Sequence, residues 1–455
     1  MARVNRREFL DRSKRAGLGA ATGLTILKNA RSAKGTPAAD QVVMAVVGCR
    51  HRGPSLAYGF ASRDDCEIAY FADVDPAMYE KWGPQIAARQ GGRKPQFAQD
   101  FRSLLDEKTL DAVIIATPTH WHALASVWSC QAGKDVYVEK PLCQNAWEGQ
   151  KMVEAARKYN RVVQVGTQNR SAPYNMAARQ YIADGKLGKV HYVRVLNQKL
   201  WPNFKMDPDS EPPKGFDWDM WNGPAPAHAY NTTLRNKWHH LWDYCIGDLG
   251  NDGIHQFDLA RMIVGFDLPQ HVFCTGGRFN TEGAAQTPDT QIATFTFEND
   301  LVVTMELTLY TPYMLKIDPV VRNGDMFPYW PQCTTRIEIY GDKGVMTVGR
   351  MGGGWQVFDR TKGRKPVVKS QMYGRFPDDE HKANFIDCLR TRQKPNADIE
   401  IGHRSHLSLL YATMSYRSGS QKLFVDPKTQ HVDNADAMKF FKREYRSPWA
   451  LEETV

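Results

Sequence analysis

Between Val42 and Thr167 short apolar runs alternate with stretches of helical character. VVMAVVGCRHRGPSLAYGF, residues 42–60, opens as an uninterrupted Val/Ala/Met strand, turns at glycine and continues as a helix whose first position suits Pro54. CEIAYFADVD, DAVIIATPT (111–119), KDVYVEK and RVVQVGT (161–167) follow as strands, with helices starting near His120 and spanning 145–159. Strands alternating with helices of these lengths predict a parallel sheet with helices on both faces.

Past residue 166 the pattern changes. β-like runs come in pairs, HVFCTGGRFN (271–280), QIATFTFEND with LVVTMELTLY (291–310), and TRIEIYGDKGVMTV (335–348). Asn299-Asp300 and Gly341-Asp342-Lys343-Gly344 join neighbours as hairpins, which predicts antiparallel pairing. Helices near 253–265, 380–391 and 403–418 would cover one face, the last returning to support the site.

At 455 residues, 42% hydrophobic and 24% charged, the chain is globular and long enough for two domains. Its formal charge of +9 is concentrated at the start, where residues 1–39 hold nine Lys/Arg against Glu8 and Asp11 and leave +2 for the rest. That balance offers no nucleic-acid footprint. Asn5-Arg6-Arg7-Glu8-Phe9-Leu10, followed by the Gly- and Ala-rich stretch Ala16 to Leu27, resembles a twin-arginine export signal. Twelve weakly apolar residues are too few to cross a bilayer core of ~30 Å, so no membrane anchor is expected. The expectation is a protein carried folded by the twin-arginine machinery to a periplasmic or extracellular space. The eight cysteines show no CxxC pair and no metal-ligand spacing, which predicts packed thiols and no metal site.

The first strand–turn–helix carries an incomplete GxGxxG. Gly48 and Gly53 take the first and third places, while Arg50 stands in the second, where it would lie alongside a pyrophosphate; Arg52 is a further cofactor candidate. Twenty residues after Gly53, the second strand ends at Asp73, placed to accept hydrogen bonds from an adenosine ribose. A carboxylate there repels a 2′-phosphate, so NAD is expected rather than NADP. Thr117, Pro118, His120 and His122, then Glu139, Lys140 and Pro141, fall at carboxyl ends of strands, the edge on which such sheets bind ligands; Gln168 follows the last strand. Lys140-Pro141 is a candidate cis bond.

With these residues in place the chain resembles the glucose-fructose oxidoreductase / inositol dehydrogenase (Gfo/Idh/MocA) family. The glycine loop, ADVD, ATPTHWHA, VEKPL, QVGTQNRS and GNDGIHQFDLARMIVG carry the resemblance, across most of 41–265. It implies an α/β chain: a Rossmann doubly wound parallel sheet over 40–166, then a C-terminal substrate and oligomerisation domain over 167–455 on an open, largely antiparallel sheet. It also implies hydride transfer between NAD(P) and a hydroxyl or carbonyl carbon of a sugar or cyclitol, with a homo-oligomer formed through the open sheet. An exported enzyme has no obvious external NAD pool, so tightly held NAD is expected.

The family pattern Asp-x-Gly-x-His-x-x-Asp matches at Gly253, His255 and Asp258, but its first acid is Asn251 here, with Asp252 one place later. Asn251 and Asp252 precede His255 by four and three residues, so either could neighbour it on a helix. Asparagine exchanges no proton, which leaves His255 and Lys140 as the acid/base candidates. Imidazole titrates near ~6.5 and suits a general base, whereas lysine starts near ~10.4 and polarises an oxygen unless its pKa is lowered. His255 is read as base and Lys140 as the orienting group, with exchanged roles left open. Five tryptophans lie between 201 and 242, and Trp201 and Trp238 are candidates for stacking on a sugar face. Two alternatives remain: a glycoside-cleaving enzyme that uses bound NAD in a transient oxidation and elimination, and a redox-silent binding homologue.

Overall fold

The computed structural model describes residues 41–200, 204–279, 283–315, 319–324, 326–360 and 366–455. The twin-arginine segment and Trp201 lie outside them. The chain divides after Ala116 into two compact units.

The first unit contains β1 (Val42–Val47), β2 (Cys66–Ala72), β3 (Gln96–Ala98) and β4 (Ala112–Ile115), with helices Arg52–Ala61 and Pro76–Arg89. β1 pairs in parallel with β2 and β4, and β2 with β3. The apolar runs are buried almost throughout, as sheets covered on both faces require. Asp75 caps the second helix by accepting from the Ala77 N–H at 3.1 Å, with Pro76 at the first position.

The second unit supplies β5 (Asp135–Val138) and β6 (Val163–Val165), and the six-stranded parallel sheet has the order β3-β2-β1-β4-β5-β6. These two strands are tied to the far end of the chain. Tyr137 packs edge-on against Phe385 and His381, and Val165 N–H donates to Ala397 O at 2.9 Å. The partners belong to helix Asp378–Thr391 and to the turn before helix Ile399–Arg417.

A nine-stranded sheet follows. Its strands are β7 (Val190–Gln198), β8 (His271–Gly277), β9 (Thr290–Phe297), β10 (Leu301–Thr308), β11 (Arg336–Gly341), β12 (Gly344–Gly349), β13 (Trp355–Arg360), β14 (Pro366–Met372) and β15 (Leu423–Phe424). In the order β14-β13-β12-β11-β7-β10-β9-β8-β15 only β7 with β10 is parallel. Both expected hairpins form, with Asn299 and Asp300 at positive φ in one and Gly341 opposite Gly344 in the other. β10 alternates buried and half-buried positions along its length. Its buried face meets helix Gly253–Val264, where Phe257 lies 4.9 Å from Phe295 of β9. The other face carries Arg194 between Glu306 and Glu338 at 2.8 and 3.1 Å. All eight cysteines are buried free thiols.

Candidate active site

In the first unit the turn after β1 is held by backbone geometry. Gly48 has φ 86° and donates its N–H to Ala72 O at 2.9 Å. A Cβ at Gly53 would stand 2.0 Å from Gly48 O, so only glycine lets the helix start this close to the strand. Asp73 accepts from Cys49 N–H at 2.5 Å and from Asp75 N–H at 2.9 Å. A carboxylate has about four lone-pair positions, so capacity for ribose hydroxyls remains. Arg50 and Arg52 border the same turn, with Arg52 donating to Ser55 Oγ at 3.3 Å. A bare-backbone turn at a helix N-terminus, followed by an acid at the next strand end, fits a dinucleotide.

In the second unit the loops after β4 and β5 are joined by His122, which sits 2.7 Å from Pro141 O through Nδ1 and 2.8 Å from Thr117 O through Nε2. Burial lowers its pKa, opposed by those carbonyls and by Glu139. Pro118 O accepts from Trp121 N–H at 3.1 Å and closes the turn. His120 points into the core instead, 2.9 Å from Trp221 O and edge-on to Tyr244, and burial drives its pKa to about 3. Glu139 accepts from Lys140 N–H at 3.2 Å and lies where a Cβ on Gly166 would come within 2.8 Å of it. The Lys140-Pro141 peptide is cis. Thr117 Oγ1 and Gln168 Oε1 are buried without a hydrogen-bond partner.

Lys140 is brought to the residues flanking His255. Its Nζ donates to Asn251 O at 2.6 Å, with Asn251 Oδ1 at 3.4 Å. Asn251 ends a short helical turn, Asp248–Asn251; after a break at Asp252 the helix Gly253–Val264 begins, and His255 N–H donates to Asp252 O at 3.1 Å. Asp252 accepts from Arg350 at 2.9 Å and from Lys199 at 3.0 Å; Lys199 also donates to Asp248 at 2.9 Å. Burial lowers the Lys140 pKa, Asp252 and Glu139 oppose it, and Arg350 and Lys199 add to it. Lys199 goes the other way, because Asp248 and Asp252 outweigh its desolvation. His239, buried near Lys140 and Lys199, is held well below the usual imidazole range by desolvation and those cations. Half-buried Trp238 lies edge-on to it at 5.5 Å.

Sequence reasoning missed Lys199, Asp248, Arg350 and His239. Of these only Asp248, three residues before Asn251, carried a local signal. Asp258, the last position of the motif, is structural: Arg170 grips it at 2.7 to 2.9 Å and Ser405 Oγ donates at 2.6 Å. Among the described residues no cluster of His, Cys, Asp and Glu could hold a metal, and no helix is long and apolar enough to cross a membrane.

Two family models match. One, an oxidoreductase family with an NAD-binding Rossmann fold (GFO_IDH_MocA), covers residues 42–167; the other, the GFO/IDH/MocA C-terminal domain, covers 175–347. The scyllo-inositol 2-dehydrogenase (NAD(+)) of Bacillus subtilis is 23% identical over 350 residues, 74% of this chain and 83% of that one. A glycosyl hydrolase family 109 protein of Shewanella pealeana is 33% identical over 175 residues, 34% of this chain and 38% of that one. The chain spans only 40% and 38% of the length of two of the curated relatives it matches. A solved levoglucosan dehydrogenase, in complex with NADH and levoglucosan, shares the fold with a TM-score of 0.62 at 18% identity, over 84% of this chain and 99% of that one.

Proposed function

Because the chain belongs to the Gfo/Idh/MocA oxidoreductase family, we propose that it transfers hydride between NAD and a CH–OH carbon of a sugar, polyol or glycoside. The observation that carries this reading is the Lys140 amine seated on the Asn251 carbonyl, at the head of the segment that bears His255. Oxidising a secondary alcohol leaves charge on its oxygen unless the proton departs with the hydride, so a base must touch that oxygen. On this reading His255 takes the proton, while Lys140 bonds the same oxygen and stabilises the charge developing there. A lysine with a lowered pKa can also surrender its own proton, so the two roles are exchangeable. NAD, when bound, accepts the hydride; Gly48, Gly53 and Asp73 of the first unit would hold it.

The levoglucosan and inositol dehydrogenases among its likenesses support this substrate class. The test is a panel of sugars, polyols and glycosides with NAD, followed at the nicotinamide absorbance. Turnover is expected in the natural protein, with Lys140→Ala and His255→Ala each losing ~10²–10⁴-fold in kcat while still shifting in melting with NADH. No reduction or oxidation of the nucleotide across the panel would overturn the reading.

The glycosyl hydrolase relative favours a second reading, glycoside cleavage with retained NAD. Release of a free sugar without added NAD would establish it in place of net oxidation. The Arg6-Arg7 segment supports export of the folded protein with its cofactor aboard. Substituting both arginines by lysine is then expected to hold the protein in the cytoplasm, and denaturing the exported protein is expected to release NAD.

A further inference from the structure

The family pattern places an acid where this chain has Asn251, and the surroundings of that amide give a physical reason. Its Nδ2 donates to Asp248 Oδ1 at 3.2 Å, while its Oδ1 faces Lys140 Nζ at 3.4 Å. Only one orientation satisfies both neighbours, because a carboxylate accepts and an ammonium donates. Asp248 is itself fixed: its Oδ1 takes Lys199 at 2.9 Å and its Oδ2 takes Asn197 Nδ2 at 2.7 Å. Lys199 is fixed in turn by Asp252, which Arg350 holds from the opposite side. All of these side chains except Asn251 and Lys140, which are half-buried, are buried.

We propose that Asp248 and Lys199 are positioning residues that lock the Asn251 amide with its oxygen toward Lys140, so that Lys140 is held by neutral acceptors alone at position 251. With Lys199 already committed to Asp248 and Asp252, an aspartate at 251 would set two carboxylates about 3.2 Å apart, a like-charge pair that a buried site resists. The acid of the site therefore stands three residues earlier and acts on Lys140 through an amide. Lys140 also faces Glu139 in its own loop, Asp252, Arg350 and Lys199, and His122, His239 and Cys245 lie close enough to interact with it. None of these changes in the exchange proposed as a test.

This inference rests on the reading that Lys140 touches the substrate, and its test is built on the reciprocal exchange. Asn251→Asp alone is expected to lower the melting temperature at neutral pH. Asp248→Asn combined with Asn251→Asp, which restores one acid and one amide in reversed order, is expected to recover part of that loss. The exchanged protein now holds a carboxylate directly against Lys140. The limb of the pH profile of kcat/KM set by Lys140 should therefore move upward by about one unit or more, whether the lysine serves as base or as polariser. A merely structural role for the network would leave that limb in place. An unmoved limb, or an exchanged protein no more stable than Asn251→Asp, overturns the proposal. The melting arm needs neither substrate nor cofactor, so failure to find a substrate would count against the oxidoreductase reading and leave this inference decided by stability.

Discussion

Lys140 shows how a single side chain sets function against stability. Its ammonium is desolvated, so its pKa in the folded protein lies below that of an unfolded lysine. A group depressed in this way penalises folding wherever the lysine is protonated in the unfolded chain, and the penalty fades as pH rises from the folded pKa toward the unfolded one at ~10.4. Lys140→Met, close in length and uncharged, removes that penalty. The melting temperature of the variant relative to the natural protein is therefore expected to be highest near neutral pH and to fall as pH approaches 10, while turnover is lost. A difference that rises with pH would contradict the burial argument. The places of Lys140 just past a strand end and of His255 near the start of a helix were legible in the sequence, because strand and helix patterns fix both positions locally. The same holds for Gly48 and Gly53, whose steric role is visible in a few residues of spacing. Lys199 and Arg350 were not legible, since they reach Asp252 from the ends of two different strands that only the tertiary fold brings together.

At the level of elements, the helix Gly253–Val264 is anchored by charge as well as by its apolar face. Arg170 spans both oxygens of Asp258, and Ser405 adds a third contact from helix Ile399–Arg417. Both partners of the ion pair are almost fully buried. Removing one leaves a buried charge without its counterpart, a loss of about 3–5 kcal/mol, whereas replacing both by apolar residues costs far less. Arg170→Met is accordingly expected to destabilise strongly in urea unfolding, and Arg170→Met with Asp258→Leu to recover most of the loss. Additive single effects would show that the pair is not coupled. Five of the six strands of the first sheet could be read from sequence because both faces are covered and their runs are mostly apolar, whereas β3, only three residues long and opened by Gln96, was missed. β7 escaped because His191, Arg194, Asn197 and Gln198 interrupt the apolar run. Its identity as the centre of the sheet comes from pairing with β10 and β11, more than a hundred residues away. β13 and β14 likewise take their place through pairing, at the edge of the same sheet.

Over the whole chain, the last residues return to the loops that carry the site, a closure no local pattern announces. Glu148, fully buried in helix Ala146–Lys158, accepts from Arg443 and from Tyr445 at 2.7 Å each, and its second oxygen accepts from Gln144 N–H at 2.9 Å. Arg443 also donates to His120 O at 2.7 Å, Trp147 N–H donates to Phe441 O at 3.0 Å, and Trp449 stacks edge-on against Trp121. One segment thus braces both the turn after β4 and the helix after the Glu139-Lys140-Pro141 loop. Burial lowers the Arg443 pKa, but Glu148 and Tyr445 more than compensate, so the guanidinium stays charged and the carboxylate depends on it. Arg443→Met would leave Glu148 with the Tyr445 hydroxyl and one backbone N–H, too little to hold a buried anion, at a cost of about 3–5 kcal/mol. Adding Glu148→Gln removes the stranded charge and is expected to restore much of the melting temperature. Restored stability need not restore turnover, because the His120 carbonyl still lacks its donor. If the double variant regains its melting temperature but shows a raised KM for NAD, the C-terminal segment shapes the cofactor side of the site. If it regains both in full, the segment serves as a stabilising brace alone.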